Sequence, residues 1–356
     1  MQALRLHRYN ERPTVDELEE PKVEGPLDVI VKIGGAGLCR TDIHLYLGQW
    51  HELDADAPLP YTLGHENAGW VQDVGSAVTH VSPGDTVILH PLATCGFCRY
   101  CRAGDDMHCE NSYFPGLNAD GGMATYLKTG ARAVVKIDPK LQPADVAALA
   151  DAGLTAYHAV KKAVPLLYPG TACVVIGAGG LGHIGIQVLA APCAATVIVI
   201  DRNPEALEFA KTIGATHGVV ADGTQVDQVK ELTGGNGAEV ILDFVGEEGA
   251  EKDAWAMTRR AGSHFVIGYG GKVEVPTIEI ISTERNVIGN IVGTYNDLAE
   301  LMALAAQGKV TLHTKPYPWR PPTTPSTTWT TGGCPEPARS SSPASDRRPD
   351  QDPWKE

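Results

Sequence analysis

A glycine turn between a strand and a helix constrains this chain more than any other stretch. Val174-Val-Ile-Gly177-Ala-Gly179-Gly180-Leu181-Gly182 fits the pattern G-x-G-x-x-G. It follows a predicted strand over 171–176 and opens a predicted helix over 180–191, which Pro192 ends. Gly177 permits the tight turn, Gly179 lets the backbone approach a pyrophosphate, and Gly182 lets the helix pack closely on the strand. A pyrophosphate would sit at the positive end of that helix. Nineteen residues past Gly182, Asp201 ends a second predicted strand over 196–201. A carboxylate there accepts hydrogen bonds from an adenosine ribose and repels a 2′-phosphate, so NAD is favoured over NADP. Arg202, its neighbour, is the residue that would tolerate a phosphate. The competing reading is a glycine turn that binds nothing, and the acid at this spacing weighs against it.

Downstream the pattern repeats. Strands are predicted over 217–220, 239–244, 264–267 and 287–292, and helices over 204–213, 225–233, 250–261 and 296–307. Strands alternating with helices argue for an α/β fold with a doubly wound parallel sheet. The first ~150 residues read differently, with short Val/Ile runs at 29–33, 69–74 and 85–89 between Gly, Pro and Asp. That texture predicts an all-β lobe with long loops. No charged residue occurs over 163–200, long enough to span a bilayer. Several glycines, three prolines, His183 and Gln187 interrupt it, and a buried βαβ unit reads the same way. No membrane segment is expected. The formal net charge of −14 makes nucleic acid a poor partner. The charged start, Met1-Gln-Ala-Leu-Arg-Leu-His-Arg, lacks the apolar core of a signal peptide, so a cytoplasmic location is expected.

Cys95, Cys98, Cys101 and Cys109 follow C-x2-C-x2-C-x7-C. Four thiolates this close on a looped segment can form a closed tetrahedral zinc site. An iron–sulfur cluster, two disulfides and four free thiols are the alternatives. Disulfides are disfavoured in a reducing compartment. The related iron–sulfur pattern brings its fourth Cys sooner and follows it with Pro, whereas Glu110 follows Cys109. Structural zinc is the favoured reading. Cys173, in a predicted strand, reads as a small core residue.

Two further segments, Gly37-Leu-Cys39-Arg40-Thr41-Asp42-Ile43-His44 and Gly64-His65-Glu66, lie in the β lobe. With the quartet, Asp151-Ala-Gly-Leu-Thr-Ala-Tyr-His158 and the glycine turn ending in Asp201, they resemble the zinc-dependent medium-chain alcohol dehydrogenases over about residues 1 to 315. The resemblance implies a GroES-like β-rich catalytic domain over 1–152, with a structural-zinc lobe at about 93–112. It implies a Rossmann domain over 153–293 and a return to the catalytic domain over 294–315. It makes Cys39, His65 and Asp151 ligands of a catalytic zinc, Asp151 standing where the family often has Cys. Glu66 would reach the metal transiently. Asp42 would orient the ligand imidazole, Thr41 and His44 would relay a proton to solvent, and Arg40 would contact the cofactor pyrophosphate. Val245, Ile267 and Gly268 fall in segments resembling those that line the cofactor pocket.

The resemblance further implies NAD and two zinc ions per chain, a small alcohol or ketone as substrate, and a homodimer or homotetramer. The Asp151 segment resembles bacterial enzymes active on secondary alcohols, such as propan-2-ol. A polyol dehydrogenase or another 2-hydroxy-compound dehydrogenase of the same superfamily is the alternative.

The last stretch stands apart. Residues 316–356 contain no Val, Ile, Leu, Met or Phe, yet hold 10 of the 25 prolines and 3 of the 6 tryptophans. Such a segment buries too little apolar surface to offset its ordering entropy and is expected to be disordered. Codons for 322–334 can be chosen so that the adjacent frame encodes a helix-like apolar spacing, so a frameshift is the expected origin. If the tail is genuine, the catalytic domain lacks its closing helix, and the alternative is an impaired enzyme with lower stability and weaker NAD binding.

Overall fold

The computed structural model describes residues 1–49, 58–315 and 317. The expectations for 316–356 therefore fall, apart from Tyr317, outside the described residues.

The β lobe runs β1 (Gln2–Leu6), β2 (Thr14–Glu17), β3 (Asp28–Gly37), β4 (Tyr61–Thr62), β5 (Glu66–Val74), β6 (Thr86–Leu89), β7 (Tyr126–Gly130) and β8 (Val134–Lys136). Helices α1 (Arg40–Tyr46), α2 (Arg99–Ala103) and α3 (Pro143–Val146) interrupt it. An antiparallel five-stranded sheet has the order β7-β3-β5-β6-β8, and a smaller sheet has the order β2-β1-β4. Alternation sets the faces: Val29 and Val31 point with Val71, Val87, Leu89 and Leu127 into one core. Ala68, Ile88 and Val135 point the other way, into a core shared with the second lobe.

Helix α4 (Ala152–Ala163) leads into that second lobe. The series continues as β9 (Ala172–Ile176), α5 (Gly182–Ala190), β10 (Thr196–Asp201), α6 (Pro204–Thr212), β11 (His217–Val220) and α7 (Gln225–Leu232). It ends with β12 (Ala238–Asp243), α8 (Ala250–Met257), β13 (Thr258–Val266), α9 (Thr277–Thr283), β14 (Asn286–Gly289) and α10 (Tyr295–Ala306). The six parallel strands lie in the order β11-β10-β9-β12-β13-β14. Chain order reverses between β9 and β12, which opens a crevice at the carboxyl ends of those strands. All of β9 is buried, Cys173 included, so the charge-free run is the covered centre of a sheet. Among the described residues no helix is long and apolar enough to cross a membrane.

The helix expected over 250–261 stops at Met257. Thr258 pairs with Ala238 across the sheet, and its hydroxyl donates to the Ala254 carbonyl at 2.7 Å. The ladder then jumps to Val240–Ser263, with Ala261 at φ 56° absorbing the extra residues. Sheet pairing overrides the helical propensity of this stretch. β14 likewise ends at Gly289, short of the predicted 292.

Helices α4 and α10 are stitched by a buried acid. Asp297 caps α10 with Thr294, accepts from Lys161 Nζ at 2.9 Å, and lies 2.8 Å from His158 Nδ1. Burial opposes its charge, but His158, Lys161 and the Thr294 amide outweigh it and hold the carboxyl well below the usual range. A depressed folded pKa stabilises the fold fully above the ordinary carboxylate value and less as pH falls below it. Asp297→Ala should cost about 2–4 kcal/mol, because it strands His158 and the half-exposed Lys161. Thermal melting checks this: a clear drop at pH 7, with the gap to the unaltered chain narrowing below about pH 4.

Candidate metal centres and dinucleotide cleft

The first cluster is assembled from three turns. Cys39 precedes α1, and its N–H donates to Asp42 Oδ2 at 2.9 Å, which fixes the entry of the helix. Asp42 is buried, and its other oxygen lies 3.5 Å from His65 Nδ1. His65 enters β5 after Gly64, whose φ of 98° suits only glycine comfortably. Its Nε2 faces Asp151 Oδ2 at 3.5 Å. Asp151 precedes α4, and Glu66 Oε1 accepts the N–H of Ala152 at 2.9 Å. Gly37 is required beside them, because a Cβ there would lie 1.9 Å from Glu66 Oε2.

One ligand atom from each of Cys39, His65, Glu66 and Asp151 falls within 4.8 Å of the others. Burial pushes the Cys39 thiol up. Burial also carries the Glu66 carboxyl to about 8, with Asp151 and Asp42 adding and His65 opposing. For His65, burial disfavours the cation, but the Asp42 charge and contacts to Asp151 hold the imidazole well above its usual value. Both His65 nitrogens, Asp42 Oδ1 and Asp151 Oδ1 are buried without a hydrogen bond. Buried polar atoms without partners cost about 1–3 kcal/mol each. A cation among soft and hard donors removes that cost, and a thiolate, an imidazole and a carboxylate form a set that suits zinc.

The second cluster is the quartet. Cys95, Cys98, Cys101 and Cys109 also bring their sulfurs within 4.8 Å, and none is in a disulfide. Backbone amides aim at the sulfurs: Phe97 and Cys98 N–H at Cys95 Sγ, both 3.4 Å, and Cys95 N–H at Cys109 Sγ, 3.3 Å. Amides from Cys101 and Glu110 lower the Cys98 thiol to about 6, whereas burial raises Cys101 to about 12. Among the described residues the group consists of these four sulfurs alone, and four amide-solvated thiolates suit a closed tetrahedral metal. Asp106, between these cysteines, accepts from Arg132 at 3.1 Å and from the Tyr295 amide of α10 at 3.3 Å. The loop is thereby tied to both lobes.

The glycine turn sits at the sheet crevice. Gly177 has φ 88°, and a Cβ on Gly182 would lie 1.8 Å from the Gly177 carbonyl. Gly179, Gly180 and Leu181 form the approach to α5. Asp201, at the end of β10, accepts the N–H of Ala178 at 2.7 Å and of Asn203 at 2.8 Å. Arg202 pairs with Glu248. Val245, Ile267 and Gly268 converge opposite the turn: Val245 Cγ2 packs over Gly177, and a Cβ on Gly268 would meet the Val245 backbone at 2.4 Å. Asp243 shapes both segments, its side chain accepting from Val245 and Gly246 N–H and its carbonyl from Ile267 and Gly268 N–H.

Across the crevice stands α1 with Arg40, Thr41 and His44. Arg40 pairs with Glu247 at 2.7 Å, and His44 Nδ1 lies 2.5 Å from the Tyr269 hydroxyl. The sequence marks Tyr269 only as part of the segment 267–270 and Glu247 not at all, and both sit more than 200 residues from their partners. The structure thus gathers the predicted residues into two donor clusters and one crevice between the lobes.

Comparison with known proteins gives the same picture. Residues 25–139 match the alcohol dehydrogenase GroES-like domain, and residues 180–307 match the zinc-binding dehydrogenase domain. An NAD-dependent alcohol dehydrogenase of Sulfurisphaera tokodaii is 34% identical over 319 residues, covering 87% of this chain and 90% of that relative. The crystal structure of the alcohol dehydrogenase from Aeropyrum pernix superposes with a TM-score of 0.85 at 47% identity, covering 88% of this chain and 92% of that one. A D-arabinose 1-dehydrogenase (NADP(+)) of Saccharolobus solfataricus is 33% identical, covering 88% and 89%. With both halves matched in order and relatives aligned over nearly nine-tenths of its length, the chain belongs to the zinc-dependent medium-chain alcohol dehydrogenase family.

Proposed function

We propose that this chain oxidises an alcohol, most readily a secondary one such as propan-2-ol, to a ketone or aldehyde with NAD as hydride acceptor. The observation that carries the reading is the Cys39–His65–Asp151 cluster, with its unpartnered buried donor atoms, in the lobe that faces the dinucleotide crevice. Bound there, zinc supplies Lewis acidity that makes an alcohol hydroxyl acidic near neutral pH, and NAD supplies the hydride acceptor. Cys39, His65 and Asp151 hold the metal, and Asp42 keeps His65 oriented from behind. Glu66 adds a fourth donor from the same pocket. Cys95, Cys98, Cys101 and Cys109 hold a second, structural ion, giving two per chain.

Thr41 Oγ1 would accept the hydroxyl proton as it gives up its own, and His44 would carry that proton outward. Arg40 offers its charge to the pyrophosphate after release from Glu247. Gly177, Gly179 and Gly182 let the backbone approach the dinucleotide, and Asp201 disfavours a 2′-phosphate. Arg202 is already engaged by Glu248, which supports NAD over NADP. The D-arabinose 1-dehydrogenase relative favours a second reading, a sugar or polyol substrate. β14 ends the sheet as an open edge, with Ile278, Ile281, Val287 and Ile291 exposed nearby, which supports a homo-oligomer.

A substrate panel tests the reading. Primary, secondary and polyhydric alcohols and aldoses are offered with NAD or NADP, and metal per chain is counted. The expected result is NADH formation led by propan-2-ol with about two zinc ions. Reduction of NADP alone, or of neither cofactor by any alcohol, would overturn it.

A further inference from the structure

The relay residue His44 has a partner that comes from the other lobe. Tyr269 follows β13 in the segment opposite the glycine turn. Its hydroxyl lies 2.5 Å from His44 Nδ1, and its ring meets the imidazole edge-on at 5.1 Å between centroids. Tyr269 is about half exposed, at 52%, while His44 is partly covered. His44 Nδ1 thus faces Tyr269, and Nε2 is the ring nitrogen left to receive a proton.

We propose that Tyr269 is the outer member of the proton relay, positioning His44 and carrying its proton to water. The proposal rests on the reading of His44 as a relay residue. The step balances without any other reactant. His44 gains a proton at Nε2 and gives up the one on Nδ1. The Tyr269 oxygen accepts it while the hydroxyl's own proton passes to a water molecule. His44 is left neutral, Tyr269 is again a neutral phenol, and the net result is one proton released to solvent. A phenol suits this transit because it both donates and accepts.

The neighbourhood fits. The groups facing His44 are Arg40 on its own helix, Glu247 from the loop after β12, and Tyr269. Burial and the Arg40 charge lower the His44 pKa, with Glu247 opposing, which favours the neutral imidazole that can accept a proton. The two lobe-spanning contacts are carried by one rigid frame. Gly271 N–H donates to the Gly246 carbonyl at 2.7 Å, linking the Glu247 turn to the Tyr269 turn. The buried Asp243 side chain and carbonyl hold both turns from beneath.

Tyr269→Phe in the full-length enzyme keeps the ring against His44 and removes only the hydroxyl. The expected result is a fall in kcat for alcohol oxidation of about 5–20-fold near and below pH 7. NAD affinity should stay within about twofold, the solvent isotope effect on kcat should rise, and added imidazole should restore the rate. A merely structural role would move none of the last two. Unchanged kcat and solvent isotope effect would overturn the proposal. So would tighter NAD binding with unaltered proton release, which would make the contact a latch of the cofactor-free form. His44→Gln separates the two levels. If it too leaves kcat and its pH profile intact, the relay reading itself fails; if it slows turnover while Tyr269→Phe does not, only the Tyr269 proposal fails.

Discussion

Replacing Cys39 by alanine should lower turnover by about 10³-fold or more while the protein stays folded. A metal held here would be asked to stabilise several kcal/mol of charge in the transition state, and each 1.36 kcal/mol is tenfold in rate. Fold retention follows from the local geometry. The contact that shapes the start of α1 uses the Cys39 backbone N–H to Asp42, which alanine keeps. What is lost is the only thiolate of a cluster otherwise made of His65, Glu66 and Asp151. Metal content should fall by one ion per chain, and the melting temperature should move little. Excess zinc should not restore the rate. Turnover within tenfold of the unaltered enzyme would sink the assignment of Cys39 as a ligand.

Replacing Cys98 by alanine should do the reverse, with a small direct effect on chemistry and a large one on stability. Structural zinc in small peptides is worth about 10–16 kcal/mol of apparent binding energy, comparable with the whole stability of a domain. The loop around Cys98 has few apolar side chains inside: Phe97 is exposed, and Cys101 is the one buried residue of α2. If a metal sits there, its removal leaves no interaction of similar strength among the described residues to hold 95–109 together. Asp106 would then release Arg132 and the Tyr295 amide, which loosens the start of α10. A melting temperature lower by about 10 °C or more, one ion fewer per chain, and protease cleavage near this loop are the expected signs. An unchanged melting curve with full metal content would show that the quartet is not a structural site.

The two features most legible in the sequence were those written in contiguous residues. The turn Gly177–Gly182 and the quartet from Cys95 to Cys109 each reveal their chemistry within about 15 residues, because spacing alone fixes what the backbone can do. The parallel sheet was legible for the same reason, since β9 is apolar throughout and β10 and β12 carry the runs Val197–Ile200 and Val240–Leu242. The break between α8 and β13 was not. The stretch before Gly262 has a helical composition, and only pairing with Ala238 turns Thr258 into a strand. The cluster of Cys39, His65 and Asp151 was legible only through resemblance, because these residues lie far apart in the chain. Glu247 lies just outside the segments marked by resemblance, and Tyr269 lies inside one of them with no role of its own legible. A single Glu and a single Tyr at strand-end turns carry no periodic signal, and their meaning comes from α1 arriving across the crevice. Gly37 shows the converse case: its lack of a side chain looks incidental until Glu66 fills the space.

The position of Asp151 has a mechanical consequence. It is the residue at which the β lobe hands over to α4, so the cluster sits at the joint between the lobes rather than out along the cleft. Points near a pivot travel least when two bodies swing. Opening the crevice wide enough to admit a dinucleotide would part Tyr269 from His44 and Glu247 from Arg40 at the lips. The distances among Cys39, His65 and Asp151 would hardly change. On the proposed assignment, such an opening would leave the hold on the ion intact, because its ligands lie beside the pivot.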